Sequence, residues 1–126
     1  MKFHHVGVAC SNIKEEIESI KKIHQVIDVS NIVLDTTQKA ELCMLKTLDG
    51  IAIELIAGEQ VANIIRKRIT YYHLCFETYD INAEILRLQH LGAFLVSEPQ
   101  AAILFDNKKV AFLQVSYGLI ELVESK

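Results

Sequence analysis

The chain has 126 residues, 51% hydrophobic and 23% charged, with one proline and five glycines. That composition fits one compact globular domain and excludes a disordered, collagen-like or low-complexity chain. The net charge of −3 lacks the basic footprint of a nucleic-acid binder, and no apolar run approaches the ~20 residues that span a bilayer.

The first ten residues enter alternating structure with no leader pattern, so a cytoplasmic protein is expected. Cys10, Cys43 and Cys75 sit alone in separate apolar segments. They read as reduced, buried thiols, not as a disulfide framework or a metal knuckle.

In chain order, alternation predicts a first strand over residues 3–10. Ser11 or Asn12 can cap the helix that follows, with Glu15 placed for a capping box. Ile13, Ile17, Ile20 and Ile23 form that helix's apolar stripe. Strands are expected at 26–34, 40–46 and 50–57, the last two joined by a turn at Asp49-Gly50. Residues 59–68 read as a short helix and connector ending in Arg66-Lys67-Arg68. A strand at 71–78 then leads into a helix from about residue 80, with Ile81, Ile85 and Leu88 on one face and Gly92 as its stop. Strands at 93–97, 102–105, 109–115 and 118–124 complete the chain, with a turn at Asp106-Asn107.

This order repeats. Phe3-His4-His5-Val6-Gly7-Val8 lies over Tyr71-Tyr72-His73-Leu74-Cys75-Phe76 at an offset of 68, and Ile53-Glu54-Leu55 matches Ile120-Glu121-Leu122 at 67. Each half opens with a histidine strand and closes with a glutamate strand. The expected fold is α+β: two βαβββ modules, about 1–58 and 70–126 with a connector at 59–69, forming a curved mixed sheet with helices on one face.

Strand alternation sets which side chains share a face. Val6 and Val8 face one way and His5 the other; Leu74 and Phe76 oppose His73 in the same manner. Ile53 and Leu55 flank Glu54, and Ile120 and Leu122 flank Glu121. If the branched faces meet the helices, His5, Glu54, His73 and Glu121 all project from the opposite wall. Two imidazoles and two carboxylates there suit one divalent cation, with zinc, nickel, cobalt, manganese and ferrous iron all compatible. Taken singly, each has an ordinary explanation, such as a hydrogen-bonded core histidine or an edge charge. Only the repeat argues for ligands. His4, His24 and His90 have no such support.

The segments that carry the repeat, with Tyr79-Asp80-Ile81, an expected turn at Ser97-Glu98-Pro99 and the Lys109-Val110-Ala111-Phe112-Leu113 strand, resemble the vicinal oxygen chelate superfamily, which includes glyoxalase I. Within it the chain looks most like the methylmalonyl-CoA epimerase branch. The resemblance implies His5, Glu54, His73 and Glu121 as metal ligands and a metal-assisted proton abstraction α to a carbonyl. It implies Glu121 as one acid/base group and Glu41, in the third strand of the first half, as a second. The substrate would be a small molecule such as an acyl-CoA thioester, with Arg66-Lys67-Arg68 and Lys108-Lys109 as candidate phosphate contacts. A homodimer would be usual for the superfamily, and no nucleic acid or membrane is implied.

The chain departs from the family pattern in two places. Its first helix has Ile17, Ile20 and Ile23 instead of an aromatic pair, and Thr36-Thr37-Gln38 stands where many epimerase-like members carry a Glu-x-Gly turn. Two other readings stay open: a glyoxalase-I-like lactoylglutathione lyase, and a non-catalytic small-molecule-binding module of the same fold.

Overall fold

The computed structural model describes residues 1–125. Internal contacts divide the chain into two compact units, one spanning residues 5–72 and the other joining residues 1–4 to everything from His73 onward.

In the first unit, β1 (Lys2–Ala9) leads into α1 (Ile13–Ile23). Asn12 begins this helix because its side chain accepts a hydrogen bond from the Glu15 amide at 3.0 Å, satisfying one of the helix's free donors. Ile13 and Ile17 then bury against Cys43, Leu45, Ile53, Leu55 and Ala57. At about 2 kcal/mol per buried isoleucine, this stripe holds the helix to the sheet. The strands here are β2 (Val26–Val29), β3 (Val33–Asp35), β4 (Ala40–Thr47) and β5 (Ala52–Gly58). They run in the order β2-β4-β5-β1, with β3 also on β4; β1 and β5 are parallel and the other pairs antiparallel. A single 3-10 turn (Glu59–Val61) and α2 (Ala62–Arg66) follow.

The second unit repeats the plan with β6 (Tyr71–Thr78), α3 (Ile81–His90), β7 (Phe94–Ala102), β8 (Lys108–Val115) and β9 (Gly118–Glu124). Its order is β6-β9-β8-β7, with β6 and β9 parallel and the rest antiparallel. Asp80 caps α3 by accepting from the Ala83 amide, and Glu124 on β9 accepts from the Ile81 amide at 3.0 Å. Ile81, Ile85 and Leu88 bury against Ala111, Leu113, Ile120 and Leu122. Among the described residues, nine strands and three α-helices make an open, mixed α+β fold.

Two expected elements differ. The strand expected over 26–34 is broken into β2 and β3. Ser30 interrupts it, donating its amide to the Met44 carbonyl and accepting the Met44 amide on its hydroxyl, both at 2.8 Å. Conversely, the strands expected at 93–97 and 102–105 become the single strand β7, and residues 103–105 form a 3-10 turn. Ser97-Glu98-Pro99 therefore lies inside a strand, not in a turn. Pro99 is tolerated because β7 pairs only with β8 and its register slips on both sides of Ser97.

Candidate functional site

Each unit builds the same polar feature on the side of its sheet away from its helix. In the first, β1 and β5 run parallel with Gly7 opposite Glu54. Ile53 and Leu55 turn toward α1, so Glu54 turns away from it. His5, two residues before Gly7, shares that side, and its Nε2 lies 3.3 Å from Glu54 Oε1. In the second, Cys75 stands opposite Glu121 on the parallel pair β6 and β9. Ile120 and Leu122 turn toward α3, and His73, two residues before Cys75, places Nε2 at 3.2 Å from Glu121 Oε1. The two pairs occupy the same register of equivalent strands.

All four side chains are buried: His5 is 0% exposed, Glu54 3%, His73 5% and Glu121 2%. An ionised carboxylate so far from water costs several kcal/mol unless charge and hydrogen bonds compensate it. Its imidazole partner supplies part of that compensation.

The separations also fit metal ligation. Two ligands held about 2.1 Å from one ion are about 3.0 Å apart when cis in an octahedron and about 3.4 Å apart in a tetrahedron. The observed 3.2 and 3.3 Å fall within this range and exceed the 2.7–2.9 Å usual for charge-assisted N–H···O⁻ bonds. Nitrogen and carboxylate oxygen without thiolate is a donor set for a borderline divalent cation.

The cross-strand neighbours are apolar. Phe112 stands opposite Glu121 on β8 and sets its ring edge-on to His73, centroids 5.3 Å apart, which fixes the imidazole plane. Met44 is the corresponding neighbour of Glu54 on β4. Sequence reasoning did not single out either residue, although Met44 and Phe112 lie at the same offset of 68 as the two histidines.

Glu41 sits elsewhere. It pairs across with Ala57 and lies on the helix side of β4 with Cys43 and Leu45. There it is exposed and lines a shallow depression with Ser11, Lys14 and Ile32 at the start of α1. It is not brought together with the His–Glu pair of its unit. Arg66, Lys67 and Arg68 lie at and just beyond the end of α2, and Lys108 and Lys109 open β8 as exposed residues. Cys10 and Cys43 stay in the thiol form at neutral pH. Burial, ahead of the nearby Glu16 carboxylate, pushes the Cys10 thiol up to about 11, and burial also raises Cys43.

Residues 4–112 match the family model described as the glyoxalase/bleomycin resistance protein/dioxygenase superfamily. Among solved structures, the chain is similar to methylmalonyl-CoA epimerase from Mycobacterium tuberculosis, at 24% identity and a TM-score of 0.82, covering 99% of this chain and 88% of that one. It is also similar to the Streptomyces coelicolor methylmalonyl-CoA epimerase in complex with 2-nitronate-propionyl-CoA, at 19% identity and a TM-score of 0.76, covering 99% and 94%. No curated protein matches the sequence.

Proposed function

The chain belongs to the glyoxalase/bleomycin resistance protein/dioxygenase superfamily, and on that premise we propose a divalent-metal-dependent isomerase or epimerase that moves a proton on the carbon next to a carbonyl. The observation that carries this reading is the buried His–Glu pair set at the same strand register in each unit. In this reading the two pairs hold one ion jointly, with His5, Glu54, His73 and Glu121 offering two imidazole nitrogens and two carboxylate oxygens. A bound divalent cation supplies a Lewis acid for the substrate's oxygens and for the charge that develops as the proton leaves.

The chain's own groups do the rest. Glu121 takes the proton from one face of the substrate carbon, and a proton delivered to the other face by a second acid completes the epimerisation. Val110, Val123 and Cys75 pack together in the same unit as an apolar cluster that limits access of water. Phe112 holds the His73 ring so that Nε2 stays turned toward Glu121. The natural substrate in this reading is an acyl-CoA thioester, as the epimerases of similar fold suggest. The exposed bases of residues 66–68 and 108–109 would meet its phosphates.

A second reading has a specific observation in its favour. With Glu41 on the helix side of its strand, the His–Glu pairs supply a single acid/base group, Glu121. One carboxylate suffices to shift a proton between neighbouring carbons of a hemithioacetal, as a glyoxalase-I-like lyase does, whereas epimerisation needs a proton delivered to the opposite face.

The discriminating experiment incubates tag-free, metal-loaded protein with methylmalonyl-CoA in deuterium oxide. The epimerase reading expects deuterium at C2, slowed about 10³-fold in Glu121→Gln. No exchange, with the methylglyoxal–glutathione adduct consumed, replaces it with the lyase. Neither reaction, in protein that takes up no metal, leaves a binding module.

A further inference from the structure

Glu77 lies on β6 two residues beyond Cys75, the residue that faces Glu121 across the parallel pair. It therefore stands opposite Val123 and shares a side of the sheet with His73. Glu77 is half-buried, and its carboxylate has no hydrogen-bond or ion-pair partner among the described residues. Drawing a carboxylate partly out of water without a partner opposes folding, so the position is not one that stability calls for.

The side chain lines a pocket of about 190 Å³ that belongs wholly to this unit. Val123 forms an apolar floor, packed with Cys75, Val110 and Phe105. The Phe105 ring, edge-on to His4 with centroids 5.7 Å apart, walls one side. Drug-sized ligands fill roughly 300–1,000 Å³, so this space suits the acyl end of a substrate and not a whole coenzyme. Two other carboxylates border it, each with a different setting. Glu124 accepts the Ile81 amide at 3.0 Å, and Asp106 is exposed on a left-handed turn (φ 56°).

Epimerisation needs an acid or base on each face of the reacting carbon, each within about 3 Å, so two carboxylate oxygens about 6 Å apart. With a rise of about 3.3 Å per residue and strands about 4.8 Å apart, the backbones of Glu77 and Glu121 lie about 8 Å apart. Two glutamate side chains leaning toward one carbon close that difference. Resting on the epimerase reading, we propose that Glu77 is the second acid, delivering a proton to the face of the substrate carbon opposite Glu121. Glu121 takes the proton from one face, and the electron pair of the broken C–H bond passes into the enolate. Glu77 gives its carboxyl proton to the other face, where the new C–H bond forms. One carboxyl thus starts each turnover protonated and the other ionised; they end it exchanged, and solvent water restores them. The roles reverse for the opposite epimer.

The test follows each epimer of methylmalonyl-CoA separately in deuterium oxide, with metal-loaded wild type, Glu77→Gln and Glu77→Asp. Glu77→Gln is expected to melt at the wild-type temperature and keep its metal, because the carboxylate has no partner to lose. Its epimerisation should fall about 10³-fold. Deuterium should still enter C2 of one epimer, the one whose proton faces Glu121, without inversion, and should not enter the other. Glu77→Asp, which restores an acid on a shorter arm, should epimerise at least tenfold faster than Glu77→Gln. Epimerisation by Glu77→Gln within threefold of wild type overturns this inference alone. So does exchange that Glu77→Gln loses equally from both epimers, or an Asp variant no faster than the Gln variant. Wild type that neither exchanges nor epimerises overturns the epimerase reading, and this inference with it.

Discussion

Glu54 lies between Ile53 and Leu55, and Glu121 between Ile120 and Leu122, positions where a strand built only for stability would carry another apolar residue. A buried His–Glu pair is at best neutral against a packed apolar pair of similar volume, and breaking it by removing one partner costs about 3–5 kcal/mol. If the pairs are retained for ligand binding, replacing both members with apolar residues should help the metal-free fold. The double variant His5→Leu/Glu54→Met is therefore expected to be as stable as metal-free wild type or about 1–4 kcal/mol more stable in urea unfolding, while Glu54→Met alone is destabilised. A double variant destabilised as much as the single one would show that the pair serves the fold. The four positions stood out in the sequence because the repeat sets a histidine and a glutamate at matching offsets, with each glutamate between two branched apolar residues. Glu41 was not legible. Its neighbours Leu42, Cys43 and Leu45 are all buried, so β4 is covered on both faces and alternation alone does not say which side the glutamate takes. The register with β5 settles it.

At the scale of elements, both long helices begin at capping side chains: Asn12, one of the two caps expected from the sequence, and Asp80, which the structure adds. α3 adds a surface pair in which Arg87 Nε donates to Glu84 Oε1 at 2.9 Å, with Nη2 donating to the same oxygen. That hydrogen bond, ahead of the guanidinium charge, holds the Glu84 carboxyl below its ordinary range. The pair's contribution is then complete above the pH where glutamates of the unfolded chain ionise. It fades as the pH falls through the lower range of the folded group. Because Arg87 is exposed, the contribution is small: Glu84→Gln should cost about 0.3–0.5 kcal/mol near neutrality, with the difference vanishing at acid pH and shrinking in high salt. A constant difference across pH would mean that the side chain acts through packing. The elements that sequence misjudged are edge strands. β2 and β3 are divided by a side-chain hydroxyl that takes a strand partner's place, and β7 carries a proline that its slipped register accommodates. Both depend on cross-strand contacts that a local pattern does not contain.

For the molecule as a whole, the repeat is the property that ties sequence to chemistry. Each unit places a histidine and a glutamate at matching strand positions, and each forms the same close pair. An independent structural role for each pair would allow either to be lost without affecting the other. A shared cation makes them interdependent. The measurement that bears on this most directly is the metal content of tag-free protein by elemental analysis, for wild type, His5→Ala and His73→Ala, each checked for native folding. A shared site predicts one divalent ion per chain in wild type and at least a hundredfold weaker binding in both variants. Two ions per chain, or one that survives either substitution, would contradict it.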